Sequence, residues 1–306
     1  APSTSTRTPY PDLVKAWARV APLAFVIIWS TGFIGARYGL PYAAPLTLLG
    51  VRMTLVTAIF ALLVLVLRSP RLMSHRDYSR SAIVGILLHA VYLGCIFIAI
   101  DLGLAVSVTA LIVCLQPILV AILAGPVLGE QVHARQWLGF AFGFLGASIV
   151  LAPGLTSGQT PPAAVVAVVI GLGGTTAAML LQKKWGDGIP LIAGNTVQYA
   201  AATVVLLAVA ALTEPLSVDW TPAFAAVLAY MVLVLSVGAI LLMYWLIRRD
   251  TASGFTSLYF LVPPVTLLEA WLLFGERLPA LGLAGFAVAT FGVALVRAPR
   301  APLDTA

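Results

Sequence analysis

The chain is read as an all-α membrane protein of ten transmembrane helices, arranged as two inverted five-helix repeats with both termini cytoplasmic. Three observations predict this class. Hydrophobic residues make up 61% of the 306 residues, only 9% are charged, and mean hydropathy is +1.05, which leaves too little polar surface to clothe a soluble globule of this size. Apolar runs of about 20 residues, the length a helix needs to cross a hydrocarbon core, follow one another almost without a gap. A residue series also occurs twice at one offset of 146. Leu115, Pro117, Gly129-Glu130, Gly139-Phe140-Ala141 and Gly146 return as Leu261, Pro263, Gly275-Glu276, Gly285-Phe286-Ala287 and Gly292, with Ser107 and Ser253 in the same register.

Taken in order, residues 1–20 form a polar, Ser/Thr/Pro-rich cytoplasmic tail, expected to be disordered or interfacial. The first repeat, 21–152, holds spans at about 21–40, 45–67, 81–100, 104–124 and 135–152. Its first span is too long for a signal-peptide core and runs straight into further spans, so it is a retained helix. Residues 153–162, rich in Gly, Pro, Ser and Thr and free of charge, form a periplasmic linker. The second repeat, 163–297, holds spans at about 162–182, 190–212, 222–247, 251–274 and 279–297, and 298–306 form a cytoplasmic tail. A membrane barrel would alternate apolar and polar residues, and runs such as Val204 to Leu212 do not.

Charge gives an independent test of the topology. With a cytoplasmic N-terminus, all Lys and Arg except Arg37, Arg52 and Arg277 fall on inner segments, as the positive-inside rule expects. Asp101, Glu214 and Asp219 fall on the outer side. The net charge of +6 therefore reports topology, and because the cations form no patch it gives no support to nucleic-acid binding. Five helices per half is an odd number, so the halves enter the membrane in opposite senses. Inverted repeats of this kind place a substrate site near the midplane between the halves.

The segment Trp29-Ser30-Thr31-Gly32-Phe33, followed by Arg37, Pro41, Pro45 and Arg52, resembles the opening helix pair of the EamA-type branch of the drug/metabolite transporter superfamily. The Leu-x-Pro…Gly-Glu…Gly series at 115–146 and 261–292 resembles that family's helices 4–5 and 9–10, so the resemblance spans all ten helices. Within the family the chain is most similar to YddG-like exporters of aromatic amino acids. The resemblance implies a carrier of the bacterial inner membrane that moves small metabolites outward by alternating access.

Polar side chains at membrane depth are costly unless paired, so those found there are the candidates for a pathway. Helix 3 places His89 and Tyr92 on one face, and helix 4 places Thr109 and Gln116 on one face. Helix 7 carries Asn195, Gln198 and Tyr199, helix 9 carries Thr256 and Tyr259, and helix 1 adds Trp29. Each has a structural alternative. His89 can bond a neighbouring helix, Gln116 and Gln198 can be interhelical glue, and Tyr199 and Tyr244 can be core aromatics. Pro117 and Pro263, at equivalent positions, mark interrupted helices and are candidate hinges. For Arg52, outward snorkelling to Asp101 or the interface is favoured over substrate contact. Glu269 is an outer-gate or surface residue, and Glu130 and Glu276 order loops.

The sequence carries no zinc-protease, phosphate-loop or nucleophile-elbow motif. Cys95 and Cys114 are free thiols with no further ligands for a metal, so no metal, cofactor or enzymatic activity is expected. The small-residue faces Gly139, Gly143, Gly146 and Gly285, Ala289, Gly292 allow close helix packing, within one chain in preference to a dimer. The expected partners are membrane lipid and a small neutral or zwitterionic substrate, aromatic or bulky amino acids before others. Sugar phosphates or nucleotide-sugars are the alternative substrates; an intramembrane enzyme or a lipid translocator is the alternative class.

The topology yields the first prediction. A single cysteine replacing Ser157, in a variant without Cys95 and Cys114, is labelled by an impermeant reagent from outside the cell. One replacing Lys184 is not. Labelling of position 157 only after the membrane is opened contradicts the inverted arrangement.

Overall fold

The structure, a computed structural model, describes residues 11–68, 73–104, 109, 112–155, 161–274 and 280–297. Among the described residues the helical elements are, in order, α1 (Pro11–Gly39), α2 (Pro45–Val66), α3 (His75–Asp101), α4 (Gln116–Leu128), α5 (Ala134–Leu155), α6 (Pro162–Trp185), α7 (Leu191–Thr213) and α8 (Pro222–Ile247). Next comes α9, in which Ala252–Thr256 and Val262–Phe274 are joined by a 3-10 turn, Ser257–Leu261; α10 (Ala280–Arg297) follows. Seven of these, α1 to α3, α6 to α8 and α10, are long and apolar enough to cross a membrane.

Several bounds differ from those expected. Helix α1 begins at Pro11, so residues 11–20 are helical and not a disordered tail. Helix α3 begins at His75, ahead of its apolar run, because Ser74 caps it: the Ser74 hydroxyl accepts from the Asp77 amide (3.1 Å) and donates to the Asp77 carboxylate (2.7 Å). The fourth span is not continuous, for the chain turns at Cys114-Leu115 and α4 starts afresh at Gln116. Pro117 then sits in the first turn, where a missing N–H costs nothing. Helix α5 runs on to Leu155 and α6 opens at Pro162. Residues 1–10, 156–160 and 298–306, together with Ser107, Gly275, Glu276 and Arg277, lie outside the described residues.

The element bounds recur at one spacing. Helices α1 and α6 end at 39 and 185, α2 and α7 begin at 45 and 191, α3 and α8 end at 101 and 247, and α5 and α10 begin at 134 and 280, each pair 146 apart. The packing is reciprocal in the same numbers. Gly139 lies against the Gly292 carbonyl, and Gly146 lies against the Gly285 carbonyl and the Ala289 amide. Adding 146 to one residue of the first contact and subtracting it from the other gives the second contact. Helices α2 and α7 also pack together, with the hydroxyls of Thr57 and Thr203, again 146 apart, at 3.4 Å. Contacts that map onto themselves in this way are what a local two-fold relation between paired elements produces.

Cations gather at one end of the bundle. There Lys183 donates to the carbonyls of Ile247 and Asp250, Arg248 donates to those of Gly186 and Ile189, and Arg297 pairs with Asp250 at 2.7 Å. Lys183 and Arg248 thereby satisfy carbonyls at and just beyond the C-terminal ends of α8 and α6. Glu130 accepts from the Ala252 amide at 2.9 Å and caps α9. At the other end Glu214 accepts from the amides of Leu46 and Thr47 and caps α2, while Ala43 and Val218 form a bridge.

A Cβ on Gly146 would overlap the backbone of α10, whereas one on Gly173 would meet nothing within 4 Å. Gly146→Ala should therefore destabilise the protein by about 1–3 kcal/mol, as overpacking does. Gly173→Ala should leave stability unchanged or raised. Thermal unfolding of the purified variants in detergent checks both.

Candidate functional site

Helices α3 and α8 each contain a π-helical segment, Ile86–Tyr92 and Met231–Ala239. Such segments shift the backbone hydrogen-bond register and expose groups that an α-helix consumes, and they recur at functional sites. The first carries His89 and Tyr92. The second carries Ser236, whose carbonyl accepts from the Tyr199 hydroxyl at 2.8 Å and whose hydroxyl accepts from Arg52 Nε at 2.9 Å.

These segments flank a cavity of about 620 Å³, a volume that includes its open side. Trp29, Gly32 and Ala36 of α1, Arg52 of α2 and Tyr199 of α7 line it. From α3 come Leu88, His89, Tyr92, Ile96 and Phe97, and from α8 Leu235 and Ile240. It reaches from mid-helix, at His89 and Tyr199, to about one turn from the ends of α1 and α3, at Ala36 and Phe97. That is the end opposite Arg297 and Glu130. The Tyr199 ring lies between His89, stacked at 4.1 Å, and Phe60, stacked at 5.5 Å. Trp29 meets Tyr259 edge-on at 5.7 Å and lies 5.2 Å from Phe25.

A smaller space shares the Trp29 and Tyr92 walls and is bounded by Val113, Cys114, Tyr259, Val262 and Pro263. The break before α4 and the 3-10 turn of α9 meet here, with the Cys114 thiol 3.8 Å from the Tyr259 carbonyl. Pro117 and Pro263 each stand in the first turn after these breaks, so they begin helical segments and do not kink continuous ones.

Arg52 does not reach Asp101 or an interface. It is 6% exposed, turned inward to Ser236 and the cavity, and among the described residues no carboxylate lies within ion-pair distance of it. The outward, snorkelling orientation expected from its place near a helix end is therefore not the one it takes.

Of the expected site residues, Trp29, His89, Tyr92 and Tyr199 come together in the main cavity, and Tyr259 lines the smaller space. The other three stand elsewhere. Gln198 accepts from Tyr244 and donates to Gln182 at 3.1 Å, tying α7 to α8 and α6 as interhelical glue. Asn195 donates to the Leu191 carbonyl of its own helix, and Gln116 donates to Thr175 at 3.3 Å. Three of these side chains keep a buried atom without a partner among the described residues: His89 Nε2, Gln116 Oε1 and Asn195 Oδ1. Of the three residues, only His89 lines the main cavity. Among the described residues no three His, Cys, Asp or Glu side chains gather as a metal site would need.

The cavity joins an unpaired guanidinium and a free imidazole nitrogen to a wall of aromatic rings. It can hold an anionic group by charge-assisted hydrogen bonds and an apolar body by ring contacts.

Comparison with known proteins agrees with a transport pathway. The model of the EamA-like transporter family matches residues 17–152 and again 162–298. The chain is 28% identical over 281 residues to the uncharacterized inner membrane transporter YedA of Escherichia coli K12, covering 90% of this chain and 89% of that one. It is 28% identical over 286 residues to the uncharacterized transporter YvbV of Bacillus subtilis, covering 90% of each. It is 27% identical over 285 residues to a probable terminal-alkyne amino-acid exporter of Streptantibioticus cattleyicolor, covering 92% of each. A solved crystal structure with 17% identity superposes with a TM-score of 0.74 over 92% of this chain and 96% of that one, which shows a shared fold.

Proposed function

This chain belongs to the EamA-like transporter family, and from that premise we propose that it exports amino acids with aromatic or bulky neutral side chains across the bacterial inner membrane. The carrying observation is Arg52, a buried guanidinium without a carboxylate partner that faces an aromatic-walled cavity. An unpaired buried cation is costly, and a substrate carboxylate supplies the missing partner. His89, which lines the cavity and whose Nε2 has no partner among the described residues, adds a second polar group. Trp29, Tyr92 and Tyr199 meet an apolar side chain through ring contacts worth about 0.5–1.5 kcal/mol each beyond burial. Their faces also accept an ammonium group.

The probable terminal-alkyne amino-acid exporter among the relatives supports an amino-acid substrate. A sugar phosphate or nucleotide-sugar is less well served. Arg52 is the one cation lining the cavity among the described residues, and a dianion is better matched by several.

The paired element bounds and reciprocal contacts support two inverted repeats of five helices each, related by an axis in the membrane plane. Alternating access then proceeds by movement at the paired breaks before Pro117 and Pro263. With the cation-rich end tied by Glu130, Lys183, Arg248 and Arg297, the present state is the one closed to the cytoplasm, on the topology the charges predict.

Proteoliposomes loaded with labelled phenylalanine and with a sugar phosphate should release the first faster than protein-free vesicles and retain the second. Arg52→Gln should raise the phenylalanine concentration for half-maximal transport by roughly 10- to 100-fold, since hydrogen bonds to charged groups contribute about 1.5–3 kcal/mol. His89→Ala should act in the same direction. Equal phenylalanine leakage with and without protein defeats the proposal.

A further prediction concerns the hinges. Pro117→Ala and Pro263→Ala should lower the initial rate per folded protein while leaving membrane insertion intact. A rate that falls only in step with folded protein returns both prolines to a structural role.

A further inference from the structure

One acidic group stands outside the substrate cavity and is used by nothing described so far. Glu269 of α9 lies where α9 packs on α1, and its Oε2 is buried with no partner among the described residues. Its Oε1 lies 2.6 Å from the hydroxyl of Ser30, a residue that is 0% exposed. The same Ser30 hydroxyl lies 2.8 Å from the Ile27 carbonyl oxygen.

A serine hydroxyl owns one hydrogen, and two oxygens stand at hydrogen-bond distance from it. Two arrangements fit this count. Either Ser30 donates to an ionised Glu269, or a protonated Glu269 donates from Oε1 to Ser30 Oγ while Ser30 donates to the Ile27 carbonyl. Desolvation favours the second. An ionised carboxylate in this place would have one neutral hydroxyl against the cost of leaving water, whereas the acid form carries no charge to desolvate.

Among the described residues no cation lies within ion-pair distance of Glu269. On α1, Arg37 stands about two turns beyond Ser30. On α10, Arg297 is bound to Asp250 and the Gly254 carbonyl at the far end of α9. On α5, Arg135 stands at the start of its helix. Tyr259 is the titratable residue of the 3-10 turn and belongs to the smaller space.

We propose that Glu269 is the proton-carrying group of the transporter, holding a proton while α1 and α9 are packed through Ser30 and losing it when they part, so that export is exchanged for inward proton movement. The bond broken is the Glu269 O–H, and the proton passes to water admitted between the two helices. The carboxylate left behind favours the separated state until it is protonated again from the opposite side of the membrane. Trp29, one residue before Ser30, lines the cavity, so a movement of α1 that parts Ser30 from Glu269 also moves a cavity wall. This inference rests on the transport reading above but not on which substrate is carried.

Two measurements test it. Infrared difference spectra of the purified protein in nanodiscs, recorded across a pH titration without substrate, should show the carbonyl stretch of a protonated carboxylic acid. That band should vanish in Glu269→Gln and shift in frequency in Ser30→Ala. In proteoliposomes, an inside-alkaline pH gradient should accelerate uptake of external acid equivalents only when labelled phenylalanine leaves, and Glu269→Gln, checked as folded by its size-exclusion profile, should lose that stimulation. A wild-type spectrum without the band, or a band unchanged in Glu269→Gln, overturns the assignment of the proton. A band that behaves as expected beside phenylalanine efflux that ignores the gradient overturns the coupling. Absence of phenylalanine efflux altogether defeats the substrate reading, while the infrared band still decides whether Glu269 holds a proton.

Discussion

Water is absent from the hydrocarbon core, so each polar group placed there has to find its partner within the chain. Most of this protein obeys that constraint closely. Buried threonines such as Thr176 and Thr256 donate back to carbonyls four residues earlier, and Tyr244, Gln198 and Gln182 form a hydrogen-bonded series that joins three helices. The exceptions therefore carry information. His89 Nε2 and the inward-turned Arg52 converge on one cavity, and Glu269 Oε2 lies beside the helix that walls it. Ser81, Gln116 and Asn195 also keep a buried atom without a partner among the described residues, but none of them lines the main cavity.

The element bounds recur at one spacing, and the side chains at the site do not. Arg52 stands where the second half has Gln198, Trp29 where it has Thr175, and His89 where it has Leu235. In the first half these positions face the cavity; in the second, Gln198 and Thr175 make interhelical hydrogen bonds. One half supplies most of the recognition chemistry and the other most of the polar glue, while Tyr199 and Leu235 close the wall from the second half. Two π-helical segments at matching positions serve both purposes, one by presenting His89 and the other by freeing Ser236 for Tyr199 and Arg52.

Hydropathy made most helices legible in the sequence, because spans such as Pro45–Val66 and Leu191–Thr213 are uniform apolar runs. What hydropathy does not encode is register within a run. The π segments at 86–92 and 231–239 and the 3-10 turn at 257–261 lie inside apolar stretches whose composition does not change there. Proline marked the two breaks, but the turn preceding Pro117 could be located only once the backbone was seen. Trp29, His89, Tyr92 and Tyr199 were legible as candidates for a cavity wall because polar or amphipathic groups at membrane depth are rare. The direction in which Arg52 points was not, since a long side chain two turns from a helix end can reach outward as easily as inward.

The central claim is that Arg52 and the aromatic wall together recognise a carboxylate joined to a large apolar side chain. Binding of phenylalanine and of phenethylamine, which lacks only the carboxylate, to the purified protein in detergent tests it most directly by calorimetry at matched ionic strength. Phenylalanine should bind at least about tenfold more tightly, the minimum that one charge-assisted hydrogen bond confers, and Arg52→Gln should remove the difference. Equal affinity for the two compounds in the unaltered protein would contradict the account.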